Sequence, residues 1–161
     1  MPEPTVAICA LAKDESLYVE EWIAFHLLQG IGEILIFDNS SSDGMREILN
    51  GLKSRVPVSV VDWPGDDYYN IQMGAYSEGA KRLAGRADWV AFIDIDEFLF
   101  SSHYSPLPVE LAEFGSNVGA VAVGHRIFGS SGFTSFESGL VTSRFTSVGI
   151  GSRSINISAA A

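Results

Sequence analysis

Asp94 and Asp96, with Glu97 directly after them, stand between the apolar runs Trp89–Ile93 and Phe98–Phe100. In extended backbone, residues i and i+2 point to the same side, so the two aspartates are expected to share one face. Carboxylates held that close repel, and the simplest offset is a bound divalent cation. An all-oxygen donor set favours Mg²⁺ or Mn²⁺ over a soft metal. Asp94 and Asp96 are therefore the candidate metal ligands.

Two other readings stand beside this one. The acids could simply solvate the tip of a strand. They could also be the Asp-x-Asp of phosphatases with an aspartyl nucleophile. Those usually carry the motif on the first strand with Thr or Val two residues further on, whereas here it follows the fourth predicted strand and Phe98 follows Glu97.

The elements that must position these acids are legible in the pattern. Thr5–Leu11 reads as a buried strand. A helix follows from a Ser16 cap to about Gln29, with Tyr18, Trp22 and Phe25 on one face and His26 as a packing residue among them. Glu33–Phe37 is a second strand, and Met45, Ile48, Leu49 and Leu52 mark a helix capped by Ser42 or Asp43. Val56–Val61 is a third strand, and a helix capped by Asn70 runs to Gly85 with Ala75, Tyr76, Ala80 and Leu83 inward. Trp89–Ile93 is then a fourth strand, apolar enough to be buried on both faces.

The order βαβαβαβ predicts an α/β protein with a parallel, doubly wound sheet. Ligands of open α/β sheets bind outside the carboxyl ends of the strands. Lys13, Asp14, Glu15, Asp38, Asp43, Asp94 and Asp96 all follow or end strands, so they are expected to converge on one crevice. Past Phe100 a short helix over 109–114 and a strand over 118–123 are expected, then an aromatic, Ser- and Gly-rich segment.

Composition narrows the partners. At 161 residues the chain is expected to be one domain, and a net charge of −10 argues against nucleic acid or anionic membrane as a partner. An anionic ligand needs a cation or backbone donors to be held. Cys9, the single cysteine, sits in an apolar run and allows no internal disulfide. With no long apolar stretch and no basic leader, the expected location is cytoplasmic. No G-x-G-x-x-G, P-loop or Gly-x-Ser-x-Gly element is present, which argues against a dinucleotide enzyme and a serine hydrolase.

Lys13-Asp14-Glu15, Glu21-Trp22 with His26, Phe37-Asp38-Asn39 through Gly44, Gln72 and Asp94-Ile95-Asp96-Glu97-Phe98 occur in consistent order over about residues 5–145. This set resembles the GT-A glycosyltransferases, and more narrowly a family 2-like and family 92-like group with an Asp-x-Asp-Glu-Phe signature. The resemblance implies a Rossmann-like GT-A domain with a mostly parallel sheet, a nucleotide-sugar donor (UDP-sugar as the guess) and Mn²⁺ or Mg²⁺ bridging its diphosphate. It places Asp38 at the nucleotide base and Ala10 to Glu15 along the nucleoside pocket. Asp94 comes near the ribose or the metal, Asp96 on the metal, and Gln72 faces the motif. Catalysis is assigned to Asp96 and Glu137, the latter as base toward an acceptor hydroxyl of a glycan, lipid or small molecule, with inversion. His125 and Arg126 are further polar candidates.

The expected layout is a nucleotide-sugar-binding half over 5–100, an acceptor-side segment over 101–150 and an unpacked tail over 151–161, incomplete at its C-terminus. Two alternatives are a non-catalytic nucleotide-sugar-binding module and a nucleotidyltransferase. The latter usually has a basic, Gly-rich loop after the first strand, which Ala12-Lys13-Asp14-Glu15 does not supply.

Overall fold

Val6–Ala12 forms β1, seven small or branched apolar residues of which every one is buried. Burial of both inward and outward residues requires cover on two faces. The computed structural model, which describes residues 3–115, 117–135 and 137–148, supplies that cover. In chain order β1 is followed by α1 (Val19–Leu28), β2 (Glu33–Asp38), α2 (Met45–Leu52), β3 (Val58–Asp62), α3 (Tyr68–Leu83), β4 (Trp89–Phe92), α4 (Leu107–Leu111) and α5 (Val141–Arg144). The four strands are all parallel, in the order β3-β2-β1-β4. The fold is thus the α/β parallel-sheet class that the alternation of elements predicts.

Alternation along β1 splits the core in two. Val6, Ile8, Ala10 and Ala12 face Trp22 and Ile23 of α1 and Met45 and Leu49 of α2. Ala7, Cys9 and Leu11 face Ala75 and Leu83 of α3. The helix α3 rides close on the sheet: a Cβ built on Gly79 would lie 2.3 Å from Cys9 Sγ, so glycine is what permits the approach. Burial pushes the Cys9 thiol up to about 12, as suits a core residue and not a nucleophile.

Several local expectations are corrected. The first helix starts at Val19, because Ser16 gives its N–H to Asp43 Oδ2 (2.7 Å) and so belongs to a loop. For α3 the cap is Asp67, whose side chain accepts from Asn70 N–H. The N-cap of α2 is Gly44, in the left-handed region at φ of 95°, and not Ser42 or Asp43; Asp43 accepts from Met45 N–H at 3.0 Å from one residue before the cap. The strand β4 is only half-buried and Phe92 is 41% exposed, since among the described residues it pairs with β1 alone. Both-face burial had been inferred from its apolar run.

The chain forms two compact units, Met1–Glu113 and Phe114–Ala161. The first contains the sheet and α1 to α4. Its α4 carries Pro108 in its first turn, where a missing N–H is tolerated. The second, among its described residues, contains α5 and an antiparallel bridge between Phe128 and Val148. Residues 118–123 form no strand, because they find no ladder partner among the described residues. The expected tail over 151–161 lies outside the described residues. Among the described residues no helix is long and apolar enough to cross a membrane.

Candidate active site

The sheet grows from β1 to β2 and β3 on one side, then the chain returns to add β4 on the other. The carboxyl ends of β1 and β4 therefore flank a switch point, the position where open α/β sheets hold ligands. A cavity of about 370 Å³ lies there. Its walls are Lys13 and Glu15 after β1, Asn39 after β2, Gly65, Asp66 and Ile71 around the start of α3, and Asp94, Ile95 and Asp96 after β4. The expected meeting of Lys13, Glu15, Asp94 and Asp96 is observed.

The acid-bearing segment is a turn and not the extended strand that the i, i+2 argument assumed. Glu97 N–H donates to the Asp94 carbonyl, and Asp94 N–H donates to Glu97 Oε2, both at 3.1 Å. The two aspartates still line one cavity, because Ile95 between them is 2% exposed and anchored in the core. From α3, Tyr76 Oη donates to Asp94 Oδ1 at 3.0 Å and Gln72 Nε2 donates to the same oxygen at 3.2 Å. Neither uses Oδ2. Asp96 is exposed. From α1, Trp22 Nε1–H donates to the Glu97 carbonyl at 2.7 Å, and Leu99 N–H donates to His26 Nε2 at 3.0 Å.

Other predicted residues are spent on holding loops together. Asp14 adopts φ of 56°, accepts from Ser42 N–H at 2.7 Å through Oδ1, and donates its own N–H to Ser41 Oγ. Asp43 accepts from Ser16 and Met45. Asp38, 2% exposed, pairs with Arg46 Nε at 2.8 Å and accepts from Ser41 N–H. Arg46 also pairs with Asp62. Asp14, Asp38 and Asp43 thus clasp the β1–α1 and β2–α2 connections, and Ala10 lies in the core. Glu137 belongs to the second unit, where its carboxylate is exposed and its carbonyl accepts from Arg144 Nη1 at 2.7 Å. His125 and Arg126 are exposed in the same unit.

Glu15 records the local field. Partial burial raises its carboxyl pKa, and the charges of Asp96, Asp43, Asp14 and Asp94 raise it further. Among the described residues no three His, Cys, Asp or Glu side chains are grouped so as to hold a metal ion by themselves. The oxygen donors of Asp94 and Asp96 nonetheless suit a hard cation, since Mg²⁺ sites commonly use one or two carboxylates and complete the shell from water and phosphate. A second cavity of about 390 Å³ faces β2, β3 and the end of α3, but its charges are paired internally, Arg86 with Glu33 at 2.6 Å and Arg82 with Glu78 at 2.9 Å.

Tyr76 and Asp66 are site residues that the sequence pattern did not single out, and Asn39, part of the ordered set, carried no role of its own. Helical period alone places Tyr76 in the core. Its spacing of i+4 from Gln72 was the available signal, because it puts both polar tips on one face of α3.

Comparison with known proteins adds kinship to this geometry. The family model of Glycosyltransferase family 92 matches residues 4–129. A glycosyltransferase family 92 protein of Oryza sativa subsp. japonica is 30% identical over 145 residues, covering 88% of this chain and 24% of that protein. One from Arabidopsis thaliana is 32% identical over 152 residues, covering 88% of this chain and 26% of that protein. The chain spans about a quarter of the length of these relatives. Among solved structures, S. aureus TarS superposes with a TM-score of 0.42 at 16% identity, over 60% of this chain and 17% of that one.

Proposed function

Because the chain belongs to glycosyltransferase family 92, we propose that its switch-point cavity binds a nucleotide-diphosphate sugar, with Mn²⁺ or Mg²⁺, for transfer to an acceptor hydroxyl with inversion. The observation that carries this is the meeting of Lys13 and Glu15 with Asp94 and Asp96 around one cavity, from stretches some eighty residues apart. A diphosphate cannot enter so acidic a rim unaided. Asp94 and Asp96 would hold a divalent ion there, and such an ion, when bound, would supply positive charge toward a leaving diphosphate.

The chain's own residues do the positioning. Gln72 and Tyr76 fix Asp94 through Oδ1, so one oxygen is orienting and the other is left for the cavity. Lys13 adds the cavity's own cation. Asp38, Asp14 and Asp43 set the shape of the two loops that carry Lys13, Glu15 and Asn39.

The test is calorimetric titration of the chain with UDP, in Mn²⁺ and in chelator. Binding that requires Mn²⁺ is expected. Equal affinity in chelator would remove the ion from the reading, and absence of binding in both conditions would remove the reading itself.

A further inference from the structure

We propose that Trp22 and His26 are positioning residues for the acidic turn: two buried side chains of α1 that fix the backbone carrying Asp94 and Asp96. This rests on the functional reading of that turn given above. Both side chains are fully buried, at 0% exposure. Buried polar atoms demand partners, and the partners they have are backbone groups just past the acids. The indole N–H of Trp22 reaches the Glu97 carbonyl, and the imidazole of His26 receives the Leu99 N–H.

The histidine is fully committed. Nε2 accepts from Leu99, so Nδ1 carries the proton and donates it to the Trp22 carbonyl at 2.8 Å. Trp22 and His26 are thereby linked through one backbone group as well as by ring contact at 4.5 Å. The rings also grip the segment from its side-chain face. Phe98 stacks on His26 with centroids 6.1 Å apart and meets Phe25 edge-on at 5.1 Å. An aliphatic residue at position 26 could fill the space but would leave the Leu99 N–H without its acceptor.

The turn is therefore held from both faces of the sheet. From one face α1 takes its backbone at Glu97 and Leu99. From the other, α3 takes the Asp94 carboxylate through Tyr76 and Gln72. Ile95, next to Asp94, is sunk in the core on the α1 side. A ligand site that must be placed to a fraction of an ångström needs such support, because a turn free to rock would present its carboxylates in many geometries.

Two measurements on the full chain test this. Amide hydrogen exchange, run without metal or nucleotide, is expected to show Leu99 exchanging at least about tenfold faster in His26→Leu. Protection should return in His26→Gln, whose side-chain oxygen can accept the same bond, while amides of β1 and β2 stay protected. Should His26→Leu not fold, Trp22→Phe, which keeps an aromatic ring but loses the N–H together with one ring of the indole, is read over Asp94 to Leu99 against the amides of β1 and β2 instead. Unchanged exchange there, or loss spread evenly over the sheet, overturns the proposal.

The second measurement is the dissociation constant for UDP with Mn²⁺, expected to rise about 10- to 100-fold in Trp22→Phe and His26→Leu. Leu49→Ala, a core change on α2 with a comparable loss of melting temperature, should weaken binding far less. An equal effect of Leu49→Ala would reduce Trp22 and His26 to ordinary core residues. If the unaltered chain binds no UDP, the functional reading fails and the exchange result alone decides whether α1 fixes the turn.

Discussion

Tyr76 donates its phenolic proton to Asp94 Oδ1 across 3.0 Å, so a residue of α3 sets where the first acid of the turn points. Burial and the Asp94 charge raise the tyrosine's pKa above its ordinary value, which keeps it a donor throughout the working range of pH. Tyr76→Phe should cost about 1.5–3 kcal/mol in urea unfolding, the range for a hydrogen bond to a charged group. It should also weaken Mn²⁺-dependent UDP binding. Unchanged stability would show that Gln72 alone holds the carboxylate.

Asp96 is exposed, and among the described residues no hydrogen bond or ion pair holds its carboxylate. Asp96→Ala should therefore leave the melting temperature unchanged or slightly raised, while abolishing UDP binding in the presence of Mn²⁺. Wild-type affinity by calorimetry would exclude Asp96 as an ion ligand.

Glu15 carries a raised carboxyl pKa in the folded state, from partial burial first and then the charges of Asp96, Asp43, Asp14 and Asp94. Its ionisation opposes folding above that pKa, and the opposition is relieved as pH falls through it. Glu15→Gln should consequently melt higher than the unaltered chain near neutral pH, with the difference closing in acid. A variant that melts lower at neutral pH would show Glu15 making a stabilising contact as an anion.

His26 works in the opposite direction. Burial lowers its pKa from 6.5 to about 4. The unfolded chain takes up a proton near 6.5 and the folded chain does not, so stability is full above that value and declines as pH falls toward 4. The loss attributable to this residue is on the order of 3 kcal/mol. Urea unfolding at about pH 7.5 and about pH 5 should show roughly two-thirds of it, and His26→Gln should lack that part of the slope. Parallel slopes for the two proteins would mean that His26 is protonated in the folded state.

Much of this was legible beforehand because the pattern has few solutions. A run such as Val6–Ala12, apolar at every position, suits a central parallel strand, and the spacing of Met45, Ile48, Leu49 and Leu52 suits only a one-sided helix. The crevice followed from topology: strands ending in acids, wound in parallel, bring their ends to one rim. What escaped was decided by competition for hydrogen bonds. Asp14, Asp38 and Asp43 look equivalent in sequence to Asp94 and Asp96, yet nearby N–H groups and Arg46 claim them first. The turn at Asp94–Glu97 was missed because an apolar run gives no notice of where Glu97 will fold back onto the Asp94 N–H. The strand expected over 118–123 failed for want of a partner, which no local propensity can reveal.

The charged groups that face the cavity, Lys13, Glu15, Asp66, Asp94 and Asp96, all lie in connections, and none sits inside a strand. On the proposed function, load-carrying and recognition fall to separate parts of the molecule. If the cavity takes the ligand proposed for it, exchanging a connection should alter which ligand is held while the frame keeps its strength.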